Sequence, residues 1–375
     1  MLLDNSPAVV SHRRSLSHPL SESSSTNANQ VSVTRQARAG KPDGRSSASQ
    51  SELPVISRPA DTANGKRSIR RNGPLRPFHA AMTCDSSGYS KWQSRVMYFY
   101  YKKWQREPGG EEMGGFTRVL HTGKEDELVE EIPTFVVNPL PPQQQTDYVV
   151  LNRPYAFVQW IQQATFPEDY VWMAEPDHLI LRPIPNLSVG DMPSAFPFHY
   201  IEPAKNKEAL HRWFPPEKGP INKIDPIGNS PVIIHKHLLR RLAPLWHNVT
   251  LEMKSDPVAD KAFGWVLEMY GYATSAALLG IQHTLHRMWM IQPPWDAEPG
   301  DSYLIHYTYG CDFDLNGKMT PGVVGPWHFD KRDFNTAPPR NLSLPPKGAA
   351  PSVFKLVSMI NDATWSIPNW RAGAP

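Results

Sequence analysis

Residues 173–183, MAEPDHLILRP, end an apolar run at Glu175, Asp177 and His178 before returning to Leu179, Ile180 and Leu181. Carboxylates two residues apart on an extended segment lie on the same side of it. Glu175 and Asp177 can therefore grip a divalent cation together with a polar ligand such as a ribose. A simple turn accounts for the same residues, with Pro176 fixing φ and Asp177 bonding its own backbone, and on this fragment both readings stay open. Three more segments carry groups able to do chemistry. YLIHYTYGCDFD ends a strand-like run at His306, either a structural histidine or a ligand. IDPIGNSPVIIHKH places Asn229 in a Gly-Asn-Ser turn before a strand at 231–234, where small residues let a ligand approach the backbone. SDPVADKAFGWVLEMYG places Asp260 in the first turn of a helix, where the helix dipole alone also accounts for it. The pairs His235/His237 and His283/His286 lack a carboxylate at zinc-hydrolase spacing. The chain contains no phosphate-binding P-loop, dinucleotide glycine fingerprint or serine-hydrolase elbow.

These groups need a scaffold, and the hydrophobic pattern supplies one. FHAAMTC (78–84) has the length of a buried strand and leads through Asp85, Ser86 and Ser87, all good caps, into YSKWQSRVMYFYYKKW, where Trp92, Val96 and Phe99 recur at helical spacing. GGFTRVLHTG and IPTFVVNPL read as strands bounded by glycines and prolines. RPYAFVQWIQQA starts with a proline suited to a helix's first turn and repeats Phe157, Trp160, Ile161 and Ala164 on one face. YVWMAE then brings the chain to the acidic turn. This order predicts an α/β fold with a mainly parallel sheet flanked by helices. In such sheets ligands gather beyond the carboxyl ends of the strands, where Glu175 and Asp177 fall. From Pro257 onward a helix is expected, with Val258, Ala262, Trp265, Val266 and Met269 as its buried stripe.

Composition divides the chain. All 39 aromatic residues (12 Trp, 13 Tyr, 14 Phe) lie from Phe78 onward, so residues 1–77 cannot build a core and are expected to form a disordered leader. That leader carries 12 basic and 5 acidic residues, whereas the remainder carries 27 and 31, so the overall net charge of +3 describes a tail. The folded part has no excess of positive charge to offer nucleic acid. No stretch reaches the roughly eighteen apolar residues of a membrane span. Sequons at Asn186, Asn248 and Asn341 are compatible with a secretory lumen. Cys84 and Cys311 either pair in an oxidising compartment or remain separate buried thiols.

The blocks EEMGGFTRVLHTG, EIPTFVVNPLP, VLNRPYAFVQW, YVWMAEPDH, IDPIGNSPVII, DKAFGWVLEMYGYA, MIQPPWD, IHYTYGCDFDLNG and PPRNLSLPP, in this order over about residues 78–370, carry a resemblance. The chain resembles the plant and algal hydroxyproline O-arabinosyltransferases. The resemblance implies a GT-A-like, Rossmann-type domain over 78–375 and transfer of L-arabinofuranose from UDP-β-L-arabinofuranose to hydroxyproline in extensin-like or small secreted peptides. It further implies Mn²⁺ or another divalent cation, held by Asp177 and His306 with Glu175 assisting. Donor contacts would come from His79 and Thr83 at the end of the first strand, Arg118 on the second, Asn152 and Arg153 before the acidic strand, and Lys318 at the phosphates. Asn152 and Arg153 read alternatively as a helix cap. Asn229 and Asp260 are candidates for the arabinose. A polyproline II acceptor would dock on aromatics such as Trp289, Trp295 and Trp327, unless these are core. The family also implies a membrane anchor and a Golgi lumen. The rivals are a peptidyl-serine galactosyltransferase and a non-catalytic glycan- or peptide-binding protein of the same fold.

Overall fold

A computed structural model describes residues 74–373, so the leader expected over 1–77 lies, apart from its last four residues, outside the described residues. Strands β1 (Phe78–Cys84), β2 (Met113–Leu120), β3 (Thr134–Val136) and β4 (Tyr170–Ala174) alternate with helices α1 (Gly88–Gln105) and α2 (Asn152–Gln163). Next come β5 (His178–Ile180), β6 (Ser194–Pro197), α3 (Lys207–Leu210) and β7 (Ile227–His235). Helices α4 (Lys236–Ser255), α5 (Pro257–Phe263) and α6 (Leu267–Leu278) lead to β8 (Thr284–Leu285), β9 (Met290–Ile291), β10 (Leu304–His306), β11 (Cys311–Phe313), β12 (Trp327–Phe329) and α7 (Pro351–Ser366).

The central sheet has the order β3-β2-β1-β4-β7-β6-β8, and only β7 runs against the rest. This is the mainly parallel, helix-flanked α/β architecture that the sequence pattern led us to expect. Every residue of β1 and β4 is buried, as befits central strands covered on both faces. Helix α1 starts where the Ser87 side chain accepts the Ser90 N–H, and Lys102 and Lys103 sit in its last turn, where the helix dipole favours them. The predicted face of α2 is buried through Phe157, Trp160 and Ile161. Two small sheets accompany the large one, β5-β10-β9 and the hairpin β11-β12.

Three expectations change in detail. Residues 228–230 do not turn before β7 but belong to it, because pairing with β6 extends the strand back to Ile227, opposite Pro197. The helix expected from Pro257 is two helices, broken at Gly264, whose φ of +49° suits a residue without a side chain. The break rotates the apolar stripe, so Val258, Ala262 and Trp265 face solvent while Ala259, Phe263, Leu267 and Tyr270 are buried. Of the sequons, Asn186 is fully buried and donates its amide to the Arg76 carbonyl at 2.9 Å. Cys84 and Cys311 are separate buried thiols. No helix among the described residues is long and apolar enough to cross a membrane.

Helices α4 and α6 approach closely at Gly271, where an added Cβ would lie 2.2 Å from Thr250 Oγ1. Thr250 cannot turn away freely because its hydroxyl bonds the Trp246 carbonyl at 2.6 Å. Gly271→Ala is therefore expected to lower unfolding stability by about 1–3 kcal/mol, as overpacked cores do. Urea unfolding checks it, and adding Thr250→Ala should recover part of the loss.

Candidate functional site

The Glu175-Pro176-Asp177 turn is the point where the chain leaves the central sheet at β4 and enters the small sheet at β5. The turn is closed by the His178 N–H donating to the Glu175 carbonyl at 3.2 Å. Strand β10 pairs with β5 in antiparallel register, with His306 directly opposite His178. The two imidazoles meet edge to face at 5.0 Å, and His178 stacks on the buried Trp172 of β4. Asp177, His178 and His306 each offer a ligand atom within 4.8 Å of the others. The acid-bearing turn and a histidine from 129 residues downstream thus form one buried cluster.

Its electrostatics are concentrated on Asp177. His306 Nε2 lies 3.1 Å from Asp177 Oδ2, and the Lys331 ammonium pairs with the same oxygen. Burial alone would push the Asp177 carboxyl up, but the adjoining charges of His306 and Lys331 outweigh it and hold the group well below its ordinary value. Burial would likewise push Lys331 down, and the Asp177 charge reverses the sign. The Lys331 ammonium also sits 5.9 Å and 5.8 Å from the centres of the Tyr89 and Tyr307 rings. Burial, with the neighbouring His306, drives His178 well below its ordinary value, so its imidazole is neutral and able to act as a ligand. His178 Nε2 and His306 Nδ1 are buried without a hydrogen-bond partner.

Other expected residues distribute unevenly around this cluster. Strands β1 and β7 flank β4, and they carry Thr83 and Asn229, whose buried hydroxyl and amide nitrogen have no partner. Arg153, in the first turn of α2, reaches Glu175 with Nη2 3.1 Å from Oε2. Burial would lower its affinity for the proton, but Glu175 and Glu268 raise it, so the guanidinium stays charged. Glu175 is thus held by Arg153, and His178 completes the three-residue cluster that the sequence reading gave to Glu175, Asp177 and His306. Arg118 is fully buried on β2 with its guanidinium on Asp126 and its Nε on Thr134. Asn152, the first residue of α2, accepts the Leu140 N–H and donates to the Val149 carbonyl, so its side chain ties the preceding loop and does not cap the helix. Asp260 pairs with Lys254 at 2.8 Å.

Two placements require correction. His79 lies at the amino end of β1, not the carboxyl end, because β1 starts at Phe78; its ring bonds Thr117 and Glu168 and packs on Phe166. Lys318 is exposed in the turn closed by Asp314, and the lysine at the cluster is Lys331. Of the three tryptophans considered for an acceptor, Trp289 and Trp327 are buried and only Trp295 is exposed. Sequence reasoning missed Lys331 and Glu268; a lysine after the apolar WHF run, WHFDK, was the available signal for the first.

Residues 78–285 match the model of the hydroxyproline O-arabinosyltransferase family N-terminal domain and residues 303–371 that of its C-terminal domain. Hydroxyproline O-arabinosyltransferase 1 of Arabidopsis thaliana is 54% identical over 91% of this chain and 93% of its own length. Hydroxyproline O-arabinosyltransferase 2 of the same plant is 59% identical over 79% of this chain and 83% of its own. The galactosyltransferase LgtC, solved with donor and acceptor sugar analogues, superposes with a TM-score of 0.40 at 12% identity, covering 78% of this chain and 98% of that one. The chain is a glycosyltransferase. More specifically, it belongs to the hydroxyproline O-arabinosyltransferase family.

The turn that carries Lys331 is fastened by His328, which bridges Asp312 at 2.7 Å and Asp333 at 2.8 Å. Burial would lower His328, but the two carboxylates outweigh it and raise its value above 6.5. A raised folded value means the stabilisation is fully present below pH 6.5 and is lost as pH rises through that folded value. Thermal unfolding of His328→Asn should therefore fall below the wild type at pH 6, with the gap narrowing as pH rises above the elevated value. An unchanged gap across that range would contradict this role.

Proposed function

We propose that this chain transfers L-arabinofuranose from UDP-β-L-arabinofuranose to the hydroxyl of peptidyl hydroxyproline, with retention of configuration, in the Golgi lumen. The observation that carries the reading is the buried Asp177, His178 and His306 cluster beyond β4, in a chain of this family. One carboxylate and two imidazoles with unpartnered nitrogens fit a divalent cation such as Mn²⁺. Asp177 and His306 would hold it, with His178 as the third group and Glu175 beside them. When bound, such a cation neutralises the diphosphate charge as UDP departs.

The protein's own groups do the remaining work. Lys331 supplies a second positive charge beside Asp177, suited to diphosphate oxygens. Arg153 orients Glu175 for the ribose. Thr83 and Asn229, with free polar atoms on either side of β4, are placed to bind the nucleotide and the arabinose respectively. In the transfer, the bond from C1 of arabinose to the phosphate oxygen breaks and a bond from C1 to the hydroxyproline oxygen forms. The proton of that hydroxyl passes to the departing phosphate oxygen, which removes the need for a carboxylate base. The β-linked donor then gives a β-linked product.

The purified full chain, given a hydroxyproline peptide, Mn²⁺ and a panel of UDP-sugars, should add a pentose only from UDP-arabinofuranose and lose that activity with chelator. Asp177→Asn should reduce transfer by about 100-fold or more, since even partners outside the metal's direct ligands cost 10–100-fold. A hexose on a serine peptide would move the chain to the galactosyl class, and absence of both transfer and UDP binding would favour a binding protein.

A further inference from the structure

The guanidinium that grips Glu175 has a second acid side chain beside it. Glu268, in the first turn of α6, is 1% exposed, with its Oε2 3.8 Å from Arg153 Nη1. Its Oε1 is buried without a partner. An acid so placed costs stability, and an apolar side chain of similar volume would fill the space at less cost. Its backbone is nevertheless fixed on both sides. The Tyr148 hydroxyl accepts the Glu268 N–H at 3.1 Å while donating to the Trp265 carbonyl at 2.7 Å. The Trp246 indole N–H donates to the Glu268 carbonyl at 3.2 Å. An unfavourable side chain on so firmly held a backbone points to a task beyond packing.

We infer that Glu268 is a positioning residue for the transfer site, acting through Arg153 to set Glu175 and with it the Glu-Pro-Asp turn that receives the sugar nucleotide. The inference rests on the functional reading above. A guanidinium is planar with donors on separate edges, so a carboxylate on one nitrogen and a packed acid side chain against another limit its rotation as well as its position. The shorter contact, 3.1 Å against 3.8 Å, assigns its charge chiefly to Glu175. Burial, partly offset by Arg153, pushes Glu268 up to about 8, so at neutral pH it carries a proton and leaves that charge to Glu175. Glu268 thereby serves as a neutral, rigid stop against the far edge of Arg153.

The test is calorimetric titration of the full chain with UDP in the presence of MnCl₂, beside donor KM and kcat, for Glu268→Ala, Glu268→Gln, Arg153→Ala and the Glu268→Ala/Arg153→Ala pair. Glu268→Ala should weaken UDP binding and raise donor KM by about 10-fold, the scale of outer-shell partners. Glu268→Gln, which keeps a neutral acceptor, should stay within about 2-fold, and Glu268→Ala should add nothing once Arg153 is gone. Should the alanine variant fail to fold, Glu268→Met fills the volume and carries the same expectation. The inference is overturned if Gln is as damaging as Ala, or if the two losses multiply. Wild-type chain that binds no UDP would instead overturn the functional reading itself.

Discussion

A carboxylate as buried as Asp177 keeps its charge only if polar and charged partners come to it, and the protein brings two, His306 and Lys331, from far along the chain. His306 arrives on β10 and Lys331 on the turn after β12, 129 and 154 residues downstream. Much of the second half of the fold can be understood as the means of delivering them. Strand β10 pairs with β5 so that His306 faces His178, and His328 fastens the turn that presents Lys331. Removing either partner would leave a buried charge with too few contacts, which is far more costly than the loss of an exposed ion pair.

The site also depends on where the chain changes sheets. Had β4 continued, Asp177 would lie within the central sheet between its neighbours. Instead the Glu-Pro-Asp turn carries the chain into β5, and its two acids take separate partners, Glu175 with Arg153 and Asp177 with His306 and Lys331. The flanking strands then contribute polar atoms that the fold leaves unsatisfied, on Thr83 and Asn229. Polar atoms left unpaired on both strands beside the end of β4 are ones that a ligand approaching that end would satisfy.

Much of this was legible in the residues. Strand β1, helix α1, helix α2 and strand β4 followed from apolar runs, caps and 3.6-residue spacing, because these segments are buried in ways that local pattern records. The acidic turn and His306 stood out because charge interrupts apolar strands. What the sequence concealed depends on tertiary contact. Gly264 splits a helix whose periodicity runs on through it, and pairing with β6 turns a Gly-Asn-Ser segment into strand. His79 has a suitable side chain at the wrong end of its strand. Lys331 carries only the weak signal of a lysine after the WHF run, and Glu268 looks like an ordinary charged residue until distant elements bury it.

The central claim is that Asp177 and the histidine brought opposite His178 hold a divalent cation. The direct measurement is pulsed electron paramagnetic resonance of Mn²⁺ added with UDP to the full chain, comparing wild type with His306→Ala. The account predicts imidazole nitrogen coupling on the manganese that is reduced in the variant, His178 supplying what remains. A spectrum of bound Mn²⁺ with no nitrogen coupling, unchanged by loss of His306, would contradict it.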